Sequence, residues 1–296
     1  MENEISESWR QMAEAIYKST IQFEDYFNKE IQPLLLTFSS LSVDYPDKRF
    51  DQVTVGTYLR AVQWLRIIAK LNNVDDFQAV LSGTRTVYEL LIDLKILEKE
   101  PERIEAYCAS VKVIQYEFFK KFENVAKKYP DHVPKHFDQD SRREFLVNPN
   151  IVAIYEDAKQ KWKENGKSEH WSGKSMPARI EDILCDIPEL FRYRDTYPWL
   201  CWYVHPGATG FVNFSANATA LAFIRGHTLL QVFFAEMTDI ICRRHFLYEG
   251  KPELRDSLKS ASLKGWERIS KLPSEMTEPI AEETAKYLKR LEESKE

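Results

Sequence analysis

The stretch FVNFSANATALAFIRGHTLLQVFFAEMTDIICRRHFL, running from Phe211 to Leu247, decides the fold class. At about 100° per residue, one helical face collects Phe211, Phe214, Ala218, Leu221, Ala222, Leu229, Val232, Phe233 and Ile240, and a second collects Phe223, Leu230, Phe234, Met237 and Ile241. A helix that is apolar on two sides has neighbours on both, so 211–247 reads as the central, buried helix of an all-α protein. A membrane span needs about 20 nearly uninterrupted apolar residues. Arg225, His227, Glu236 and Asp239 break this run, and no membrane partner is expected. Arg225 and Glu236 project onto the first face, about 16 Å apart along the axis. They are too far apart to pair, so each needs its own partner; Arg85 and Glu89 are the nearest candidates.

Outward from this stretch the apolar period remains helical. It marks helices at about 5–40 (broken near Pro33), 54–71, 75–99, 101–128, 149–165, 178–204 in pieces, 252–271 and 278–294. Prolines fall between these segments, at Pro46, Pro101, Pro130, Pro149, Pro206, Pro252 and Pro273. Only 9 of 296 residues are glycine, under half the usual ~7%, which disfavours turn-rich β folds and glycine-rich nucleotide loops. The expectation is one helical domain over 1–296 with at least eight helices and essentially no sheet. Its core spans 60–245, peripheral C-terminal helices occupy 251–296, and the longest loop runs from Tyr129 to Ser141.

A net charge of −5 provides no bulk basic field for nucleic acid. The N-terminus MENEISESWRQ is acidic and has no basic region followed by an apolar stretch, so no leader is read there and a cytoplasmic location is expected. Cys108, Cys185, Cys201 and Cys242 lie far apart in helical apolar contexts and read as reduced core thiols. Gly166-Lys167-Ser168 and Gly173-Lys174-Ser175 imitate the end of a phosphate loop, but Lys161 and Ser168 stand where its first glycine belongs. His132 and His136 are four apart but straddle a proline in an expected loop, and no other metal-ligand spacing occurs, so no metal is assigned, and the sequence names no cofactor.

The helix from Phe77 carries an apolar stripe of Phe77, Val80, Leu81, Thr84, Val87, Tyr88 and Leu91, with Arg85 and Glu89 on its edge. One turn apart, these two form either a surface ion pair or a partly buried functional pair. His205 follows an aromatic run and precedes Pro206-Gly207. A helix C-terminus there would favour its protonated form, suited to an anion or to acid chemistry, or else the ring caps its own helix. His170, in Glu169-His170-Trp171-Ser172-Gly173, reads as a similar loop-borne group.

Leu81-Ser82-Gly83-Thr84-Arg85-Thr86-Val87-Tyr88-Glu89-Leu90, then His170-Trp171-Ser172-Gly173 with Arg179, then Tyr193 and Tyr197 before His205-Pro206, resemble a bacterial and archaeal domain-of-unknown-function family of helical proteins over about 60–245. The resemblance implies an all-helical domain with Arg85, Glu89, His170 and His205 at matching positions, and no established activity. That family is in turn loosely similar to helical nucleases of prokaryotic defence systems, whose motif is Arg, four to six residues, then His. Here no arginine precedes a histidine at that distance.

Two function classes follow. In the first, a polar cluster binds an anionic, phosphate-bearing ligand or nucleic acid: Arg85, Arg179, Tyr197 and Arg225 bind, while His205, His170 and Glu89 carry phosphodiester hydrolysis. In the second, the cluster is structural and the protein is a non-catalytic interaction or sensor module, its partner another protein or a second copy.

Overall fold

The computed structural model describes residues 5–33, 48–132, 139–164, 170–172, 174–183, 187–204, 216–244 and 252–272. Among the described residues there are ten α-helices and no strand, as the periodicity predicts. They are α1 (Glu7–Tyr26, continued by a π-helical turn, Phe27–Ile31), α2 (Lys48–Ile68), α3 (Phe77–Lys99), α4 (Ile104–Lys128) and α5 (Gln139–Val147). After these come α6 (Pro149–Glu164), α7 (Met176–Ile183), α8 (Ile187–Val204), α9 (Ala216–Arg244) and α10 (Pro252–Lys271). The expected helix at 278–294 lies outside the described residues.

Local chemistry fixes the starts. Asn73 Oδ1 accepts from the Asp75 N–H at 3.2 Å, capping the short 3₁₀ turn that leads into α3. Pro149 occupies the first position of α6, where a missing N–H costs nothing, and Asn148 Oδ1 takes the next N–H, that of Asn150, at 3.0 Å. The loop expected from Tyr129 to Ser141 needs correction at its end. A 3₁₀ turn occupies Pro130–His132 and α5 begins at Gln139, a short polar helix whose period is too weak to read.

The chain divides into two compact units, Met1–Lys95 with Phe191–Glu296, and Ile96–Leu190; the divisions fall inside α3 and α8. In the first unit α9 is the hub, packed by α1, α2, α10 and the turn before α3. From Ala220 to Cys242 every residue is buried except Arg225, Gln231, Glu236 and Asp239, which are half-buried. By length and composition α9 could cross a membrane, but 78% of its apolar window is buried inside the protein, as in a core helix. Two glycines permit this crowding. A Cβ on Gly226 would stand 2.8 Å from Val80 Cγ1, and one on Gly265 would overlap Val232 Cγ2, so α3 and α10 approach α9 where a side chain is missing. Aromatic contacts fill the seam with α1 and α2: Tyr58 stacks on Phe234 at 5.3 Å between centroids, and its hydroxyl is 2.8 Å from Thr238 Oγ1.

The second unit is built on α4, which packs against α5 and α6. Its core cluster is small: Val113 and Tyr155, with Tyr116, Ile154 and Ala158 against them.

Candidate functional site

The sequence candidates that the structure describes fall into two groups, one in each unit. In the first unit Arg85 Nε donates to Glu89 Oε1 at 3.0 Å, and Nη2 lies 3.4 Å from the Tyr197 hydroxyl. The Arg85 side chain is 19% exposed and that of Glu89 39%, so the pair sits at the rim of the core. Burial opposes the charge on Arg85. Glu89, together with Cys201 and Tyr197, outweighs it, and the guanidinium pKa is raised. Tyr197 in turn is pushed up, first by burial and then by Cys201, and its ring stacks on Tyr88 at 5.9 Å.

Arg225 and Glu236 find partners, but not the expected ones. The Arg225 guanidinium stands over the Trp199 indole at 4.8 Å from the centroid, a cation–π contact. Glu236 gathers four donors from three other helices: Lys95 Nζ at 3.2 Å, the Tyr193 hydroxyl, Ser262 Oγ at 3.0 Å and Trp266 Nε1 at 3.2 Å. The side chains of Lys95 and Glu236 are 19% and 16% exposed. A carboxylate with this many donors is a fixed strut tying α3, α8 and α10 to α9. Sequence reasoning missed its partners, although Ser262 and Trp266, four residues apart on one face of α10, are the sort of donor pair that could have signalled it.

A third polar group on α9 escaped the sequence reading as a site. His227 is fully buried; its Nδ1 lies 3.0 Å from Thr20 Oγ1, which also receives Gln231 Nε2 at 2.8 Å. Burial lowers the imidazole pKa to about 4, with the Leu71 backbone working the other way. The ring is neutral across the physiological range.

In the second unit His170 Nε2 lies 2.8 Å from Arg179 Nη1, and His170 Nδ1 lies 2.8 Å from Ser172 Oγ. A guanidinium only donates, so Nε2 accepts and the ring proton belongs on Nδ1, from which it reaches Ser172 Oγ. The Ser172 N–H, 3.2 Å from the same Nδ1, would need the other tautomer; the charge-assisted bond from buried Arg179 outranks it. The Nε2 acceptor of His170 is therefore occupied by Arg179. His205 lies outside the described residues.

Among the described residues no group of three or more His, Cys, Asp or Glu could hold a metal ion. The described cysteines, Cys108, Cys201 and Cys242, are free thiols. Burial pushes Cys242 up to about 12 and also raises Cys201, so neither is a ready nucleophile.

A different feature stands on α4. Val111, Ile114, Phe118 and Val125 on α4, and Tyr129 just past its end, are each 47–65% exposed; they line one side with half-buried Phe122, whose ring carries the Arg142 guanidinium of α5 at 4.8 Å from its centroid. Val111 and Phe122, Ile114 and Val125, and Phe118 and Tyr129 are each separated by eleven residues, close to three whole helical turns, so the stripe runs along one side. The opposite side is fastened to α6. Tyr116 and Tyr155 meet at 4.3 Å between centroids, and Glu117 takes the Tyr155 hydroxyl at 2.8 Å and Lys159 Nζ at 2.6 Å. The Glu117 carboxyl pKa is lowered, first by Lys159 and then by Tyr155; burial and Glu117 raise the phenol.

With the geometry in place, the comparisons give one assignment: the chain belongs to the family of unknown function DUF5677, whose model matches residues 51–218, more than half of its length. No curated protein and no solved structure matches it. The matched span contains Arg85, Glu89, His170, Arg179, Tyr197, His205 and all of α4, and it ends before Arg225 and Glu236.

Proposed function

We propose that the protein is a non-catalytic helical interaction module whose working surface is the outer face of α4, and that the Arg85–Glu89 and His170–Arg179 pairs are struts. The observation that carries this reading is the row of exposed apolar side chains from Val111 to Tyr129, interrupted only at half-buried Phe122. Eighteen residues at 1.5 Å make it about 27 Å long. Its occupant is a second amphipathic helix, because only a partner of the same period keeps contact along that length. The basic nitrogen of His170 and the carboxylate of Glu89 are both engaged by arginines, which argues against proton transfer through either.

One observation favours a second reading, anion recognition: the Arg85 guanidinium, held charged by Glu89, lies beside the Tyr197 hydroxyl at the rim of the core. Phosphodiester hydrolysis would extend that reading.

The test replaces Phe118 by a photoreactive benzophenone amino acid in living cells. Intermolecular adducts are expected, and they should disappear when Ile114 and Val125 are also changed to glutamate. Two results overturn the reading: adducts confined to the protein's own chain, or turnover of RNA, DNA or small phosphodiesters that Arg85→Ala abolishes in folded protein.

A further inference from the structure

We infer that the helix occupying this stripe is α4 of a second copy, packed antiparallel about a two-fold axis level with Lys120; the inference rests on the docking reading of α4. The apolar order is nearly the same read in either direction. Reflection through residue 120 sets Phe118 opposite Phe122, Val111 opposite Tyr129, and Ile114 within one residue of level with Val125. A two-fold interface must be self-complementary in this way, each residue meeting the one its own copy offers in return. An arbitrary partner imposes no such symmetry on the stripe.

Side-chain size follows the same logic. The two phenylalanines meet at the centre, Phe122 already carrying the Arg142 guanidinium of its own copy at 4.8 Å from the centroid, whereas toward each end a small residue, Val111, meets a large one, Tyr129. Such alternation lets the helices interdigitate without a gap. The eleven-residue spacing keeps the seam on one side of the helix, so two copies can stay in register from Val111 to Val125, with Tyr129 just beyond the helix end.

Area points to the same occupant. The five exposed side chains present on the order of 500 Å² of mainly apolar surface, near the upper end for a single patch on a monomer. Covering one stripe with another removes at most on the order of 1,000 Å² in total, the floor for a biological interface, and flanking residues must add to it to reach the roughly 1,200 Å² at which stable interfaces begin. The face lies wholly within the second unit, and Glu117, with Tyr155 and Lys159, anchors its back.

The experiment uses the full chain. Sedimentation from about 1 to 100 µM should show a dimer. Phe118→Glu, and separately Val125→Lys, should weaken it at least about 30-fold, with helicity and melting of the dilute protein unchanged. A benzophenone amino acid at Val111, activated in cells, should mark residues around Tyr129 of a second copy. Marks around Val111 of the second copy would mean a parallel pair and overturn the inference. So would a dimer that survives both substitutions. Adducts on a different protein overturn the second-copy assignment while the docking reading survives, whereas a monomer at 100 µM with only intramolecular adducts ends both.

Discussion

Two helices of comparable length have opposite fates. α9, with 29 residues, is enclosed by helices drawn from both ends of the sequence; α4, with 25, has a single fully buried residue, Val113. Both are rich in apolar and aromatic side chains, so apolar content does not separate them. The difference lies in the treatment of polar groups. On α9 three of the four intruding groups have a specific tertiary contact, Glu236 with Lys95, Tyr193, Ser262 and Trp266, Arg225 with Trp199, and His227 with Thr20, while Asp239 pairs with Arg243 one turn on. On α4 the polar groups near Glu117 fasten one edge and leave the apolar stripe facing outward. A core helix shows itself by where its charges go.

The sharpest way to break this contrast is Glu236→Ala. It removes the carboxylate that faces Lys95 and three neutral donors in a mostly buried setting and should cost about 3–5 kcal/mol of unfolding free energy, read by denaturant titration. Glu236→Gln should cost less. A loss below about 1 kcal/mol for the alanine variant would show that the network holds nothing.

His227 supplies the next effect. Its folded pKa of about 4 lies below the ordinary 6.5, so the unfolded chain takes up the proton first. Its contribution to stability is therefore level above pH 6.5, falls with pH between 6.5 and 4, and amounts to about 3 kcal/mol lost at the lower end. Urea midpoints measured at several pH values should show this slope in the wild type and lose it in His227→Gln. Equal slopes in both proteins would place the pH dependence elsewhere.

Gly226→Ala should cost about 1–3 kcal/mol, since its methyl group enters the space of Val80; a neutral result would mean that α3 can back away. Arg85→Ala, at a pair partly open to solvent, should cost about 0.5–1 kcal/mol and leave a cooperative melt; a much larger loss would make that pair part of the core. Smallest of all, Phe118→Glu should change the stability of the dilute protein by less than about 0.5 kcal/mol, against several for a charge placed on α9 at Phe233. Comparable losses at the two positions would abolish the distinction between the helices.

The core phase of α3 and α9 was legible in the sequence because apolar residues recur there at helical spacing. Thr84, Val87, Tyr88 and Leu91 are fully buried as expected, and Arg85 and Glu89 lie at the edge. The strut at Glu236 was legible only as a demand. Its charge needed a partner, but Lys95, Tyr193, Ser262 and Trp266 come from separate parts of the chain, and nothing in local spacing selects them over Arg85. α5 was invisible because nine residues, QDSRREFLV, hold too few apolar positions to set a period. The open face of α4 was hidden for the opposite reason. Val113, Tyr116 and Phe119 offer a second apolar side, and only the location of α6 decides which side is covered.

The first unit is made of two stretches of chain with the second unit between them in sequence, and this has a consequence during synthesis. Everything α4 needs from α5 and α6 has emerged by Glu164. α1 must wait for α9: Ser6 bonds to Asn217, and Thr20 to His227. That is more than 200 residues of further translation, about 10–40 s at ordinary elongation rates. For that interval the apolar face of α1 is exposed on the nascent chain, so a chaperone that shields amphipathic helices near the ribosome should raise the yield of the first unit more than that of the second.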